Sequence, residues 1–531
     1  MATVYVTGVE ETEGDSLLFS RLLDELTRGL KTRCINLMRY DGTWSAPAET
    51  MPTVMSTHRK AQFEHLRAMS RLNLAMPIVN AVESRQRPNG FRKVNDETLR
   101  STEANEAFMR NHLQLKIMQG NHDVALYGTS YLLVAPNGFG ENIHYVDPWS
   151  AVVSQNNECG VIYTYDELKQ VETFAFYRML FNEQGELVRV YKKNATRKGE
   201  RSLVLPDDKL KVREVAESSQ DTHGWTGRSN FVWAQETTDY EYAVECHSLP
   251  LVQRRTPTRH GVLEPHWSTM DRINQKVFDQ LVISMMQAFK QRAIKGMRPT
   301  YTDKDLPVIE GKAKAGDPIN YEGMFEAGVG ALWMLPTDID IWESGYVDIQ
   351  PLDSAITNDI KRLASTAGVP LDVLSPDVQG SAEGASLKRE SLTFLVEQLN
   401  TLTNDALTRA ITMSLVLDGN AQADVDLFEM MWLPADPQNI VDLANAASQL
   451  QTILAKKTIM KQVLGFTETQ IQEALRDSMD ELFTTAGNGE GTPTGANLDN
   501  VDLFNEQLPN NSGNSQAFNT KADTDTTTSE H

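Results

Sequence analysis

Apolar side chains at regular spacing set the first elements of this chain. Leu18, Leu22, Leu26 and Leu30 recur at helical intervals, so a helix is predicted from Ser16 to about Asn36, and Tyr40-Asp41-Gly42 supplies the turn that ends it. Helical spacing resumes between Pro52 and Glu83 and closes at Pro88-Asn89-Gly90, where a turn is predicted before Phe91. Residues 104–128 read as a further helix, stopped by Gly128. The β-rich run Ser130-Tyr131-Leu132-Leu133-Val134 predicts a strand ended by Pro136-Asn137-Gly138. As far as about residue 252, strand-like runs at 161–165, 171–178 and 187–192 alternate with turns, the pattern of an α+β region.

The second half is more helical. From Ser268, with Asp271 three positions on as a capping pair, Ile273, Val277, Leu281, Met285 and Ala288 form one stripe, a helix of about 25 residues ending near Gly296. Residues 297–349 mix charge, Gly, Pro and short apolar runs such as Ala331-Leu332-Trp333-Met334-Leu335, which predicts a small β-containing insert. Ile356, Ile360 and Leu363 carry a helix from Asp353 to Ala367. Gly368-Val369-Pro370 halts it, because the residue before proline is pushed out of the α region. A functional or mobile loop of about fifteen residues without periodicity is expected from Pro370 to Gly384. After it, Leu392, Leu395, Leu399, Leu402, Ala406 and Ala410 keep a nearly seven-residue repeat until Gly419, a helix of about 33 residues and roughly 50 Å. A helix of that length must brace a whole domain, and core packing is the expected use of its stripe.

A last helical pair is predicted near 438–463 and 468–483, with Thr467 and Gln470 spaced as a capping box after Gly465-Phe466. Beyond Gly487, seven acids and the single cation Lys521 stand among Gly, Asn, Thr and Ser. Such a segment cannot bury enough apolar surface to offset chain entropy, so a disordered acidic tail is expected.

At 531 residues the chain exceeds the usual single-core size, so several structural units are expected. Lys plus Arg number 50 against 72 Asp plus Glu; the net charge of −22 has the wrong sign for a broad basic face that grips phosphate backbones. Cys34, Cys159 and Cys246 are scattered and odd in number, which argues against a disulfide framework and fits a reducing cytoplasm. No CxxC or Cys/His cluster exists, so no structural zinc is expected. The acidic start, with Glu10, Glu11, Glu13 and Asp15, predicts no secretory signal, and no apolar run reaches the ~18 residues of a membrane span.

Candidate chemistry is sparse. No GxxxxGK[ST] stretch cradles phosphate, and Gly487-Asn488-Gly489-Glu490-Gly491 lacks the flanking strand and helix of a dinucleotide loop. Gly128-Thr129-Ser130 begins like a nucleophile elbow but lacks its second Gly. It reads as a helix-to-strand turn, with a hydrolase at Ser130 as the rival and His122 and Asp123 on the preceding helix. Asp338/Asp340 and Asp424/Asp426 have the i, i+2 spacing of carboxylate pairs on a strand, as a nuclease would use, but no His stands near; solvated strand faces are the plainer reading. Arg254, Arg255 and Arg259 are either a phosphate cradle or, as expected, a surface loop or subunit contact after the strand Leu249-Pro250-Leu251-Val252. The 370–384 loop carries Asp372, Asp377, Gln379, Ser381 and Glu383, polar and mostly acidic.

The order of elements, an α+β body, a helix, a small insert, a second helix, a Gly/Pro loop, a very long helix, a helical end and an acidic tail, resembles the portal proteins of tailed double-stranded DNA phages, the siphophage type most closely. Local sequence carries the resemblance over roughly residues 37–485. Arg39-Tyr40-Asp41-Gly42 looks like the family's entry motif. Arg71-Leu72-Asn73-Leu74, leading through Pro77-Ile78-Val79-Asn80-Ala81-Val82 to Gly90-Phe91, looks like its first long helix and turn. Asp123 to Tyr131 is similar to the helix-to-strand passage, Asp271-Arg272-Ile273-Asn274 to the start of the first stem helix, and Gly380 to Lys388 to the loop-to-helix segment. Thr458-Ile459-Met460 followed by Leu464-Gly465-Phe466-Thr467 is similar to the C-terminal helical hairpin. The fixed order of these matches is the specific signal.

The resemblance implies a predominantly helical α+β protomer: an N-terminal helix (1–35), an α+β wing (36–265), a first stem helix (266–292), a clip (293–349), a second stem helix (350–369), a tunnel loop (370–384), a long wing helix (385–419), a helical crown (420–485) and the disordered tail (486–531), which has no family counterpart. It implies a homo-oligomeric ring, usually of twelve copies, at one capsid vertex of a virion assembled in the host cytoplasm. Double-stranded DNA would pass through it without sequence specificity. The partners would be the large terminase subunit, then a head-tail adaptor, with the major capsid and scaffold proteins around it; no membrane, cofactor or catalytic residue is implied, so the protein is expected not to be an enzyme. Asp372, Asp377, Gln379, Ser381, Glu383 and Lys388 would face DNA, and Lys304, Lys312 and Lys314 would face terminase or adaptor on the clip. Acids lining a conduit repel phosphates and keep binding shallow, while a few cations such as Lys388 or Arg389 offer weak, salt-screened contacts. Another head or tail structural protein is the nearest alternative.

Overall fold

The computed structural model describes residues 6–7, 14–45, 57–94, 101–137, 140–218, 230–288, 292–296, 298–320, 340–343, 345–375, 382–419, 427–435, 440–451, 453–462, 471 and 474–478. The chain divides into two compact units, residues 1–436 and 437–531. In the first, β1 (Val6–Thr7) is followed by α1 (Asp15–Arg28) and α2 (Leu30–Tyr40), so the one helix predicted over 16–36 is two, parted at Gly29. Likewise the 52–83 helix is α3 (Thr57–Met69) and α4 (Ala75–Glu83), and the 104–128 helix is α5 (Thr102–Arg110) and α6 (Leu113–Tyr127), separated by His112 in a left-handed conformation. Periodicity survives these breaks because a tight interruption shifts the apolar face by only a fraction of a turn.

Between α4 and α5 lies β2 (Pro88–Lys93), where the sequence predicts a turn. Its antiparallel partner, β13 (Phe428–Trp432), lies far along the chain, which is why local sequence could not announce the pairing. The strand regions fall as read, with β3 (Thr129–Val134), β4 (Ile143–Val146), β5 (Ala151–Val153), β6 (Cys159–Asp166), β7 (Val171–Phe181) and β8 (Leu187–Lys198). Then come α7 (Lys209–Glu217), β9 (Phe231–Asp239), α8 (Glu241–Glu245) and β10 (Leu251–Arg255). One sheet runs β1-β9-β8-β7-β6-β5 and a second runs β10-β3-β4.

A helix α9 (Trp267–Ala288) leads to the insert, in which β11 (Arg292–Lys295) pairs with β12 (Asp340–Glu343) and a short α10 (Leu306–Ile309) lies between them. The helix back is α11 (Gln350–Ala367), packed along α9 and stopped by Gly368. Residues 371–374, expected as loop, form α12 (Leu371–Leu374), whose Leu371, Val373 and Leu374 lean on the core. Four residues are too few to show a period, and flanking prolines disguise them. The long helix is α13 (Ala382–Leu417), 36 residues, so 382–384 are helical as well.

Three cores organise this unit. Phe19, Leu22, Leu23 and Leu26 of α1 pack on Phe174, Phe176, Phe231 and Trp233 of the six-stranded sheet, Phe19 meeting Phe174 edge-on with centroids 5.6 Å apart. A second core gathers α2, α4, α9, α11 and the first half of α13 through Leu392, Val396 and Leu399. A third joins the three-stranded sheet to Ala406, Leu407, Ala410 and Ile411 of the same helix. The expected bracing role of α13 is therefore literal: one helix spans two cores. Its last turns, Ala406 to Leu415, are buried nearly all round, and a helix buried all round needs no single apolar stripe.

In the second unit α14 (Ile440–Leu450) packs with α15 (Lys456–Gln462), so the helix predicted over 438–463 is also two. Residues 471 and 474–478 are helical, within the second predicted segment. Gly465-Phe466, Thr467, Gln470, the 331–335 apolar run, Asp338, Asp424, Asp426 and the acidic tail fall outside the described residues.

Candidate functional site

The residues quoted from separate stretches of the sequence converge at the root of the α9/α11 hairpin. Arg39, at the end of α2, is buried. Its guanidinium reaches Asp271 near the start of α9 at 2.7 Å and lies over the rings of Trp44 and Trp267, 5.2 and 5.3 Å from their centroids. Trp44 Nε1 donates to the other Asp271 oxygen at 3.2 Å. Burial draws the Arg39 pKa down while Asp271 holds it up. Tyr40 donates its hydroxyl to Asn80 on α4, and Asn73 donates to the Tyr40 carbonyl, both at 2.9 Å. Asn274 on α9 accepts from the Leu72 amide at 3.0 Å. Asn36 joins the node, donating to the Leu126 carbonyl and accepting from Trp267 Nε1. Four sequence neighbourhoods thus clamp the base of α9 to α2, α4 and α6.

One turn further out a second cluster ties α9 to α11. Asp359, 1% exposed, receives Arg272 through Nε at 2.9 Å and Nη2 at 3.2 Å, Lys276 at 2.6 Å and Arg362 at 3.2 Å. The hydrogen bonds from Arg272 and Lys276 hold its carboxyl well below the usual carboxylate range, and Arg272 is pushed up in return. Sequence reading missed this cluster. Its only local trace is the pair of cations at i and i+4, Arg272 and Lys276, on a helix whose acid lies elsewhere.

At the helix-to-strand passage Ser130 is fully buried, and no hydrogen-bond partner meets its Oγ. No substrate can reach it, so the nucleophile reading fails and the passage is a structural turn. Asp123 beside it is buried and takes the Tyr145 hydroxyl at 2.5 Å, and burial pushes its carboxyl up to about 8. The Arg254, Arg255, Arg259 group is corrected too. Arg254 and Arg255 lie inside β10 rather than on a loop. Arg254 is 1% exposed and bonds Asn121 and the Ile117 carbonyl, so it holds no external phosphate, while Arg259 pairs with Glu25. The alternation of β10 turns Arg254 inward, which a local run of arginines conceals.

Of the expected DNA-facing set, Asp372 stands on α12 with its side chain 46% exposed, 3.8 Å from Arg389. Glu383 and Lys388 lie on the first turns of α13. Asp377, Gln379 and Ser381 are outside the described residues. Lys304, Lys312 and Lys314 are exposed on the insert, Lys312 paired with Glu310 at 2.6 Å. The insert end of the hairpin also bares apolar side chains: Met285 and Met286 on α9, Ile309 on α10, Trp342 on β12, and Tyr346 and Val347 before α11, Tyr346 being 82% exposed. Among the described residues no helix is long and apolar enough to cross a membrane, and no group of three or more His, Cys, Asp and Glu side chains is placed to hold a metal ion.

No family model matches the chain, and no curated protein matches it. Among solved structures it is similar to a chain of the neck of an empty gene transfer agent particle, with 11% identity over 78% of this chain and 95% of that one at a TM-score of 0.35. It is also similar to a chain of the virion of a native gene transfer agent particle, with 10% identity over 81% and 98% at a TM-score of 0.33. Likenesses of this depth are descriptive and assign no role.

Proposed function

We propose that this protein is a phage portal: a ring at one capsid vertex through which the genome is packaged and ejected, docking terminase and later a head-tail adaptor. The observation that carries the reading is the α9/α11 hairpin. It is clamped to the α+β body at its root by Arg39–Asp271 and presents uncovered Met285, Met286, Trp342, Tyr346 and Val347 at its insert end. Apolar side chains bared together on a projecting element favour burial against other copies. A contact between unlike faces of identical chains closes into a ring when its rotation divides the circle. α9 and α11 would form the stem, residues 293–349 the clip, and 370–384 the tunnel loop, shortened by α12 and the start of α13. Packaging energy would come from the separate terminase.

The test is the mass and shape of the purified particle. Native mass spectrometry and negative-stain microscopy are expected to give a closed ring, of twelve copies in the usual arrangement, with a central channel. A monomer under capsid-assembly conditions overturns the reading. Solid or fibrous particles also overturn it, in favour of another head or tail structural protein.

A further inference from the structure

Within an acidic chain, the α9/α11 cluster holds a local excess of positive charge. Three cations converge on the single carboxylate Asp359, and their side chains stay open to solvent: Arg272 50%, Lys276 27% and Arg362 73% exposed. Among the described residues Arg272 spends Nε and Nη2 on Asp359 and Arg362 spends Nη1, leaving Nη1 of Arg272, and Nε and Nη2 of Arg362, for an outside acceptor. The neighbouring acids cancel this excess only in part, because Asp279 keeps its charge beside a neutral Gln275. Asp271 is taken by Arg39 and Trp44, and Asp279, the next acid along α9, accepts from Gln275 at 2.9 Å. Beside the 370–384 connector, Arg389 stands 3.8 Å from Asp372.

We infer that Arg272, Lys276 and Arg362 form a phosphate-binding cradle that takes backbone phosphates of duplex DNA. Asp359 pins the cations in place from below, so the guanidinium planes are ordered before the anion arrives, and planar donors suit a phosphate oxygen pair. One such contact per subunit stays shallow and salt-screened, as a sliding polyanion requires. This rests on the portal reading for its partner, and deepens it by moving the attractive contact from the connector to the hairpin.

The experiment is fluorescence anisotropy of a labelled 30-base-pair duplex titrated with the full-length protein across a series of NaCl concentrations, alongside calorimetry with inorganic phosphate. Arg362→Gln leaves Asp359 two partners and so keeps the hairpin. It is expected to weaken DNA binding about two- to fivefold at low salt and to flatten the slope of log K against log salt concentration by about 0.9 for each phosphate that the bound protein ceases to neutralise. Arg362→Lys is expected to restore part of both, and Arg272→Gln to act in the same direction. Unchanged curves and slopes for Arg362→Gln and Arg272→Gln overturn the inference. So does Arg362-dependent binding of free phosphate without any effect on DNA. A variant that alters particle mass while wild-type and variant DNA curves coincide overturns it as well, assigning the cluster to a carboxylate on a neighbouring copy. Failure of the portal reading is seen separately, in the wild-type particle's shape.

Discussion

Asp123 shows how burial rewrites a single residue. Buried beneath Tyr145 on β4, it is also opposed by Asp147; its helix neighbour His122 and Arg254 on β10 pull the other way, and burial wins, raising the carboxyl from 3.8 to about 8. The folded chain therefore holds a proton that the unfolded chain releases above about pH 4. Stability supplied by that proton is complete below the unfolded pKa and drains away as pH climbs toward 8. Asp123→Asn cannot ionise, so its stability relative to wild type is expected to grow between pH 4 and 8 in urea unfolding followed by fluorescence. A constant difference across that window would show an ordinary carboxylate. None of this was legible in sequence, where Asp123 opened the helix-to-strand motif with no local sign of its burial. The same holds for Arg254, whose inward turn depends on the strand that carries it. Arg39 and Asp271, by contrast, were both singled out by motif, and the structure joins them.

Among the elements, the two helix stops at Gly128 and Gly368 look alike in sequence and differ in surroundings. Both adopt the left-handed conformation, with φ of +77° and +67°. A Cβ at Gly128 would lie 2.6 Å from the backbone carbons of Arg259 and His260, while at Gly368 the nearest atom is 3.9 Å away. Gly368→Ala is expected to cost about 1 kcal/mol, the left-handed penalty alone. Gly128→Ala should cost about 3 kcal/mol or more, because backbone must move as well. Thermal unfolding of the two variants, with equal losses, would contradict this. The long helices were readable from spacing, since a 3.6-residue period is a local property, whereas the short α7, α8, α10 and α12 were not. Element ends were not: the breaks at Gly29, 70–74 and 111–112 leave the apolar period nearly intact, β2 depends on its distant partner β13, and the helix α12 is only four residues long.

For the whole molecule the governing quantity is the net charge of −22. Copies of so acidic a chain repel one another, and added salt screens that repulsion over a Debye length that shrinks from roughly 14 Å near 50 mM to about 8 Å near 150 mM. Assembly driven by the bare apolar end of the hairpin is therefore expected to gain yield as NaCl rises across this range, read by mass photometry. Loss of particles with salt would mean that exposed ion pairs, rather than apolar contact, hold the copies together. Sequence by itself determined the periods, the α+β composition, the long helix, the acidity and the order of motifs, because each is written in spacing or in counts. Only the tertiary structure decided which residues meet: that Arg39 clamps the hairpin root, that Asp359 gathers three cations, that Ser130 is sealed and Arg254 interior. Contacts between residues hundreds of positions apart follow from how apolar faces pack in three dimensions, and no local pattern encodes that geometry.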